Sequence, residues 1–461
     1  MLKNTRNDAL LASVRNGLPL SGNEKLQLII GLSIPSILAQ ITSVLMFFID
    51  ASMVGHLGAE ASASIGLVES TTWLFGSLTS AASMGFSVQV AHFIGANDFR
   101  QARQVLRQGL RVTLVFSVLL ALAGIIVSGR LPYWLGGGVD IAGDASWYFR
   151  IFMFVLPVFQ LNNLAGAMLK SSGDMRSPSV ISVLMCVLDV AFNYFFIYIL
   201  SLGVIGAAIG TALAVLIGGS AQSYILLFRN KFLALRLDKG QSVTSVSYLR
   251  QALGISSPIA LQSVLMSGAQ IVSTMIVAPL GNFAIAANTF AITAESLCYM
   301  PGYGIGDAAT TLVGQSIGAN RPDICRSFAW RAIALGMSVM AFMGVVMWIF
   351  APEMIGVLSP VKEIRELGAG VLRIEAFAEP FFAASIVCYS ICVGAGDTLR
   401  PAIMNLVSMW GVRLTLAFWL SQSYGLRGVW FAMATELTFR GCIFLVRIYR
   451  GKWLDHAKVS S

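Results

Sequence analysis

Of 461 residues, 11% are charged and 56% hydrophobic, with a mean hydropathy of +0.76 and a net charge of +9. Soluble domains average about 25% charged residues, so the composition excludes an ordinary water-soluble enzyme. His56, His92 and His456 are too scattered for a metal triad, and the six cysteines show no metal-ligand or disulfide-framework spacing.

A bilayer span needs about 20 predominantly apolar residues. In chain order, runs of that kind fall at 27–54, 62–94, 105–128, 145–169, 179–200 and 204–228, then at 251–279, 284–316, 328–350, 371–394, 402–420 and 426–446. Hydrocarbon offers the backbone no hydrogen-bonding partner, so each run predicts a helix. Residues 1–25 lack the charged-then-apolar layout of a signal peptide, which predicts that the first span is retained. Placing the termini and alternate loops on one side puts 24 Lys and Arg there, six on the other side, and Arg413 within a span. That asymmetry predicts cytoplasmic termini in an inner membrane. The basic excess then reflects topology and not a nucleic-acid footprint. No P-loop or nucleophile motif supports ATP-driven transport or an enzyme.

The chain repeats itself at an offset of 223. Pro258 falls on Pro35, Leu280-Gly281 on Leu57-Gly58, and Ile317-Gly318-Ala319-Asn320 on Ile94-Gly95-Ala96-Asn97. Pro380 falls on Pro157, and Gly396-Asp397 and Pro401 on Gly173-Asp174 and Pro178. These matches predict an all-α membrane protein of 12 helices in two homologous six-helix lobes, 1–228 and 251–461, joined by a cytoplasmic linker at 229–250. Six is even, so the repeats are parallel, with a pseudo-two-fold axis along the membrane normal. Secondary transporters whose halves rock about a central site are built this way. A channel or receptor needs no such duplication.

Residues that break the repeat point to chemistry. Asp50 falls opposite Ser273, and Asp189 and Asn193 opposite Val412 and Leu416. Conversely, Arg413 falls opposite Val190 and Glu379 opposite Leu156. An intramembrane charge costs about 2.5–3.5 kcal/mol on insertion scales, and such groups commonly serve proton or ion relays. Asp189 and Asn193 share a helix face. If the first and fifth spans line one cavity, these two meet Asp50 there, and two acids in contact titrate as a pair. Structural readings stand beside these: Asp50 as an interfacial cap, Glu379 as part of a helix break at Pro380, Arg413 as a partner for a carbonyl or for Glu379. Glu69, Glu295, Asp307 and Glu436 are further buried-acid candidates.

The stretch FIDASMVGHLGAEASASIG resembles the span 1–2 signature of the multidrug and toxic compound extrusion (MATE) family. HFIGAND and LVGQSIGAN resemble its paired span-ending motifs, SSGDMRSP and GAGDTLRP its loops, and LDVAFNYFFIYILSLGVIGAAIGT its span 5–6 signature. The resemblance covers about residues 25 to 450. It implies a V-shaped, two-lobed monomer in the lipid bilayer that exports lipophilic organic cations in exchange for H⁺ or Na⁺. From the residue spacing and charge placement above, no cofactor, resident metal or nucleic-acid partner is expected. By motif, Asp50 matches the proton-accepting acid, Thr211 a threonine near it, and Asp189 and Asn193 a pair that usually begins with Asn. Met266 stands where one branch carries a span-7 Glu, which makes the chain similar to the DinF-like branch. A lipid-linked oligosaccharide flippase of the same superfamily is the alternative. Such proteins carry several basic cavity residues, where this chain has Arg413.

Overall fold

The computed structural model describes residues 5–237 and 245–455, and among these only helices, turns and loops occur. In chain order the helices are α1 (Thr5–Arg15), α2 (Gly22–Gly55), α3 (Ala59–Gly95), α4 (Phe99–Val127), the single turn α5 (Leu131–Trp134), α6 (Val139–Ser171), α7 (Arg176–Tyr194) and α8 (Gly203–Tyr224). They continue with α9 (Val246–Val277), α10 (Asn282–Gly318), α11 (Pro322–Leu358), α12 (Lys362–Glu375), α13 (Glu379–Gly394), α14 (Leu399–Leu406) and α15 (Leu414–Arg450). π-Helical turns extend α7 (Phe195–Ile199) and α8 (Ile225–Arg229) and join α14 to α15 (Val407–Arg413).

The repeat is written into the backbone at its turns. Gly58 and Gly281 have φ of 119° and 97°, Asn97 and Asn320 57° and 54°, Gly173 and Gly396 89° and 82°. Each pair is separated by the 223-residue offset. Left-handed backbone favours Gly, and Asn more than other residues, which is why these identities recur while the apolar residues around them drift. The α4 start adds a side-chain cap, with Asp98 accepting from the Gln101 amide at 3.0 Å.

The tenth predicted span, 371–394, is not one helix. α12 ends at Glu375, α13 begins at Glu379, and the two are bent by 59°. Pro380 lies in the first turn of α13, where its missing N–H costs nothing, and it disfavours helical backbone in the residue before it. The equivalent Pro157 lies within an unbroken α6. The last two predicted spans meet at Gly425, whose φ of 58° and ψ of −138° break α15. Arg440, one of the 24 charges placed on the cytoplasmic side, is buried in α15 and paired with Glu436.

Contacts divide the chain into two compact units, one comprising Met1–Ile41 with Leu261–Ser461, the other Thr42–Ala260. Both boundaries fall within the first helix of a repeat, α2 and α9. Residues Thr42–Ala260 pack α6 against α3, α4 and α8, around Phe86, Leu106, Leu164 and Met168 near one end and Phe149, Met153 and Leu156 nearer the other. In the other unit α10 packs on α11 and α13, and Ala287, Ala291 and Ala294 let it approach Met347 and Trp430 closely.

Candidate functional site

Within the Thr42–Ala260 unit, three helices converge on one polar cluster. α2 supplies Asp50, α7 supplies Asp189 and Asn193 one turn apart, and α8 supplies Thr211. The Asn193 Nδ2 donates to Asp50 Oδ1 at 2.8 Å and to Asp189 Oδ2 at 3.2 Å. The two carboxyls lie within hydrogen-bonding reach of each other, and Thr211 within reach of Asp189. A carboxylate has no proton to donate, so a bond between two carboxyls requires that one be protonated. The Asn193 amide thus draws together one carboxyl from α2 and one from α7.

Burial sharpens this geometry. Asp189 is fully buried and Asn193 almost so, whereas Asp50 is half-buried. Asp189 Oδ1 and Asn193 Oδ1 have no hydrogen-bond partner among the described residues. α7 and α8 approach so closely here that a Cβ at Gly210 would lie 2.9 Å from the Asn193 backbone nitrogen and overlap its side chain. A π-helical turn follows the pair, and Tyr198 on it donates to the Met53 carbonyl on α2 at 2.9 Å. Tyr148 and Thr211 line a cavity of about 40 Å³ between α6 and α8, room for water and not for a drug-sized molecule. Nearby, Trp73 donates to Glu69 at 3.4 Å and packs edge-on against Phe47 at 5.6 Å.

The other unit carries a different set. Glu295, Glu375, Glu379 and Glu436 are all buried, and Ser408 and Arg440 bond Glu436 at 2.5 and 3.1 Å. Arg413 ends the π-helical turn with its Nη2 2.6 Å from the Met433 sulfur, in the field of Glu436, Glu295 and Glu375. Glu375 and Glu379 flank the α12–α13 break, and neither carboxyl has a hydrogen-bond partner among the described residues. Sequence reasoning missed Glu375. Its repeat counterpart is Phe152, so the comparison that isolated Asp50 contained the signal. Met266 lies in an apolar cluster with Ala269, Met409 and Leu414.

A family model described as MatE matches residues 35–195 and 258–419, two stretches whose starts are 223 residues apart. The chain belongs to the MatE family. Probable multidrug resistance protein NorM of Thermotoga maritima is 25% identical over 435 residues, 93% of each chain. A crystal structure of MATE in complex with MaL6 has a TM-score of 0.90 at 21% identity, covering 97% of this chain and 99% of that one. An outward-facing multidrug resistance MATE family transporter of the MOP superfamily has a TM-score of 0.89 at 21% identity, covering 94% of this chain and 97% of that one. This MatE chain is thus a multi-pass membrane protein with the fold of those transporters.

Proposed function

We propose that this MatE protein exports lipophilic organic cations from the cytoplasm in exchange for protons, using Asp50, Asp189, Asn193 and Thr211. The observation that carries the reading is the Asn193 amide holding two carboxyls that lie within reach of each other on separate helices. The names of relatives such as the Thermotoga maritima NorM, and the outward-facing transporter fold, support export of small molecules.

The chemistry follows from the two protonation states. Without a proton, Asp50 and Asp189 repel each other and present negative charge that attracts a cation. Phe47 on α2 and Trp73 on α3 add aromatic faces. With one proton from outside, repulsion becomes a hydrogen bond, α2 is drawn onto α7, and the charge that held the cation falls from two to one. Release of that proton to the cytoplasm restores the site. The chain works as a monomer in the inner membrane with both termini cytoplasmic.

Two variants of the reading have less support. Na⁺ coupling through a span-7 acid would place the ion against Met266 and its apolar neighbours. A flippase for pyrophosphate-linked sugars needs uncommitted basic residues, whereas Arg413 and Arg440 face carboxylates. Exchange of one H⁺ for one monovalent cation moves no net charge, so each pH unit supplies about 1.4 kcal/mol. A second proton would add about 2.3 kcal/mol per 100 mV.

Inverted vesicles with imposed gradients and a panel of cationic dyes test the proposal. Dye uptake should follow an interior-acid pH gradient and be indifferent to Na⁺. Uptake driven by Na⁺ alone would replace H⁺ by Na⁺ as the coupling ion.

A further inference from the structure

α2 begins in one compact unit and ends in the other. Up to Ile41 it belongs with Leu261–Ser461, and from Thr42 it belongs with the helices that carry Asp189 and Asn193. Just before that change it is tied down by an acid that the proton site does not use. Ser36 Oγ donates to Asp307 Oδ2 at 2.7 Å, and Gln40 Nε2 reaches the same oxygen at 3.4 Å. Both donors lie on one face of α2, a turn apart, and Asp307 lies on α10. One turn earlier on that face of α10 is Gly304. A Cβ there would lie 2.6 Å from the Ile37 nitrogen and 2.7 Å from its Cα, so the two backbones are in direct contact. Glycine permits the approach, and the carboxylate fixes its register.

The tie is specific to this repeat. At the 223-residue offset Asp307 corresponds to Met84, Ser36 to Ile259 and Gln40 to Ser263. Near the start of α9 a different contact is made to α3, with Gln89 donating to the Tyr248 carbonyl at 3.0 Å. An acid deep in a span is costly, and a scaffold that needed only helix packing has apolar side chains for that purpose, as Met84 shows. Asp50 lies ten residues beyond Gln40, about 15 Å along the helix at 1.5 Å per residue.

We propose that Asp307 is a positioning residue that anchors the first half of α2, so that proton capture at Asp50 moves the helix about a fixed point instead of being absorbed locally. The inference rests on the proton-coupling reading above. With the anchor in place, drawing the second half of α2 onto α7 must be taken up in the helix beyond Gln40. Without it, the first half of α2 follows, and the protonation energy is lost to the adjustment.

The test compares Asp307→Asn, which keeps an acceptor for Ser36, with Asp307→Leu, which removes it, in purified and reconstituted protein. The readouts are dye affinity, proton release on dye binding, and transport turnover. D307L should bind dye and release protons like the wild type while turnover falls about tenfold, the weight of one hydrogen bond to a charged group, and D307N should keep most of its turnover. Ser36→Ala removes the donor without touching the acid and should give an intermediate loss of turnover, which preserves the test if D307L does not fold. Wild-type turnover in D307L or in S36A would overturn the proposal. So would equal loss in D307N and D307L, or parallel loss of dye binding and turnover in S36A. Absence of proton release in the wild type would sink the coupling reading instead, and the turnover comparison would still be readable.

Discussion

A single amide joins the two acids of the first repeat. Asn193 donates to both Asp50 and Asp189, and its own oxygen faces Gly210. Replacing it by Leu leaves the volume but removes the donor, so the carboxyls face each other with nothing between them. Asn193→Leu should abolish proton-coupled transport and cost about 1–2 kcal/mol, as interhelical hydrogen bonds in membranes do, seen as a lower Tm in detergent. Glu436 answers differently, because it balances Arg440 and Arg413. Glu436→Leu strands the Arg440 guanidinium and should cost about 3–5 kcal/mol, whereas Glu436→Gln keeps an acceptor for Ser408 and Arg440 and should cost less. The Tm difference between the two variants checks this. Asp50, Asp189 and Asn193 were legible in the sequence because the repeat shows what the scaffold does without. Thr211 was legible only through the family resemblance, since a threonine in a span costs too little to stand out. The pairing of Arg440 with Glu436 was not legible, because loop charges and span charges look alike near a helix end.

At the scale of elements, the site depends on how closely α7 and α8 approach. Gly210→Ala would drive a methyl into the Asn193 backbone, and overpacking of this kind costs about 1–3 kcal/mol. The variant should lose transport together with stability. Gly254→Ala on α9, where a Cβ meets nothing within 4 Å, should be near neutral in the same thermal and transport assays. Helix positions were readable from the apolar runs because every backbone polar group in a span must be satisfied within it. The α12–α13 break was not. Pro157 and Pro380 sit in matching sequence, and one is accommodated while the other starts a new helix. Packing around each proline decides that outcome, and packing is not written in the local sequence. The short π-helical turns escaped sequence reading for the same reason.

For the whole molecule, duplication supplied a symmetric frame and substitution made it unequal. The paired positive-φ turns mark the frame, and the two buried polar sets mark the divergence. One repeat carries two carboxyls bridged by an amide. The other carries four carboxyls with two arginines, in which Glu436 is already engaged. Coupling on this account belongs to the first set, with α2 as the element that carries its effect past Ile41. Proton release on binding of a cationic dye to the purified protein tests that claim most directly, comparing wild type with Asp50→Asn. Release is expected from the wild type and none from the variant, with dye binding retained in weaker form. Undiminished release from the Asp50→Asn protein would contradict that claim.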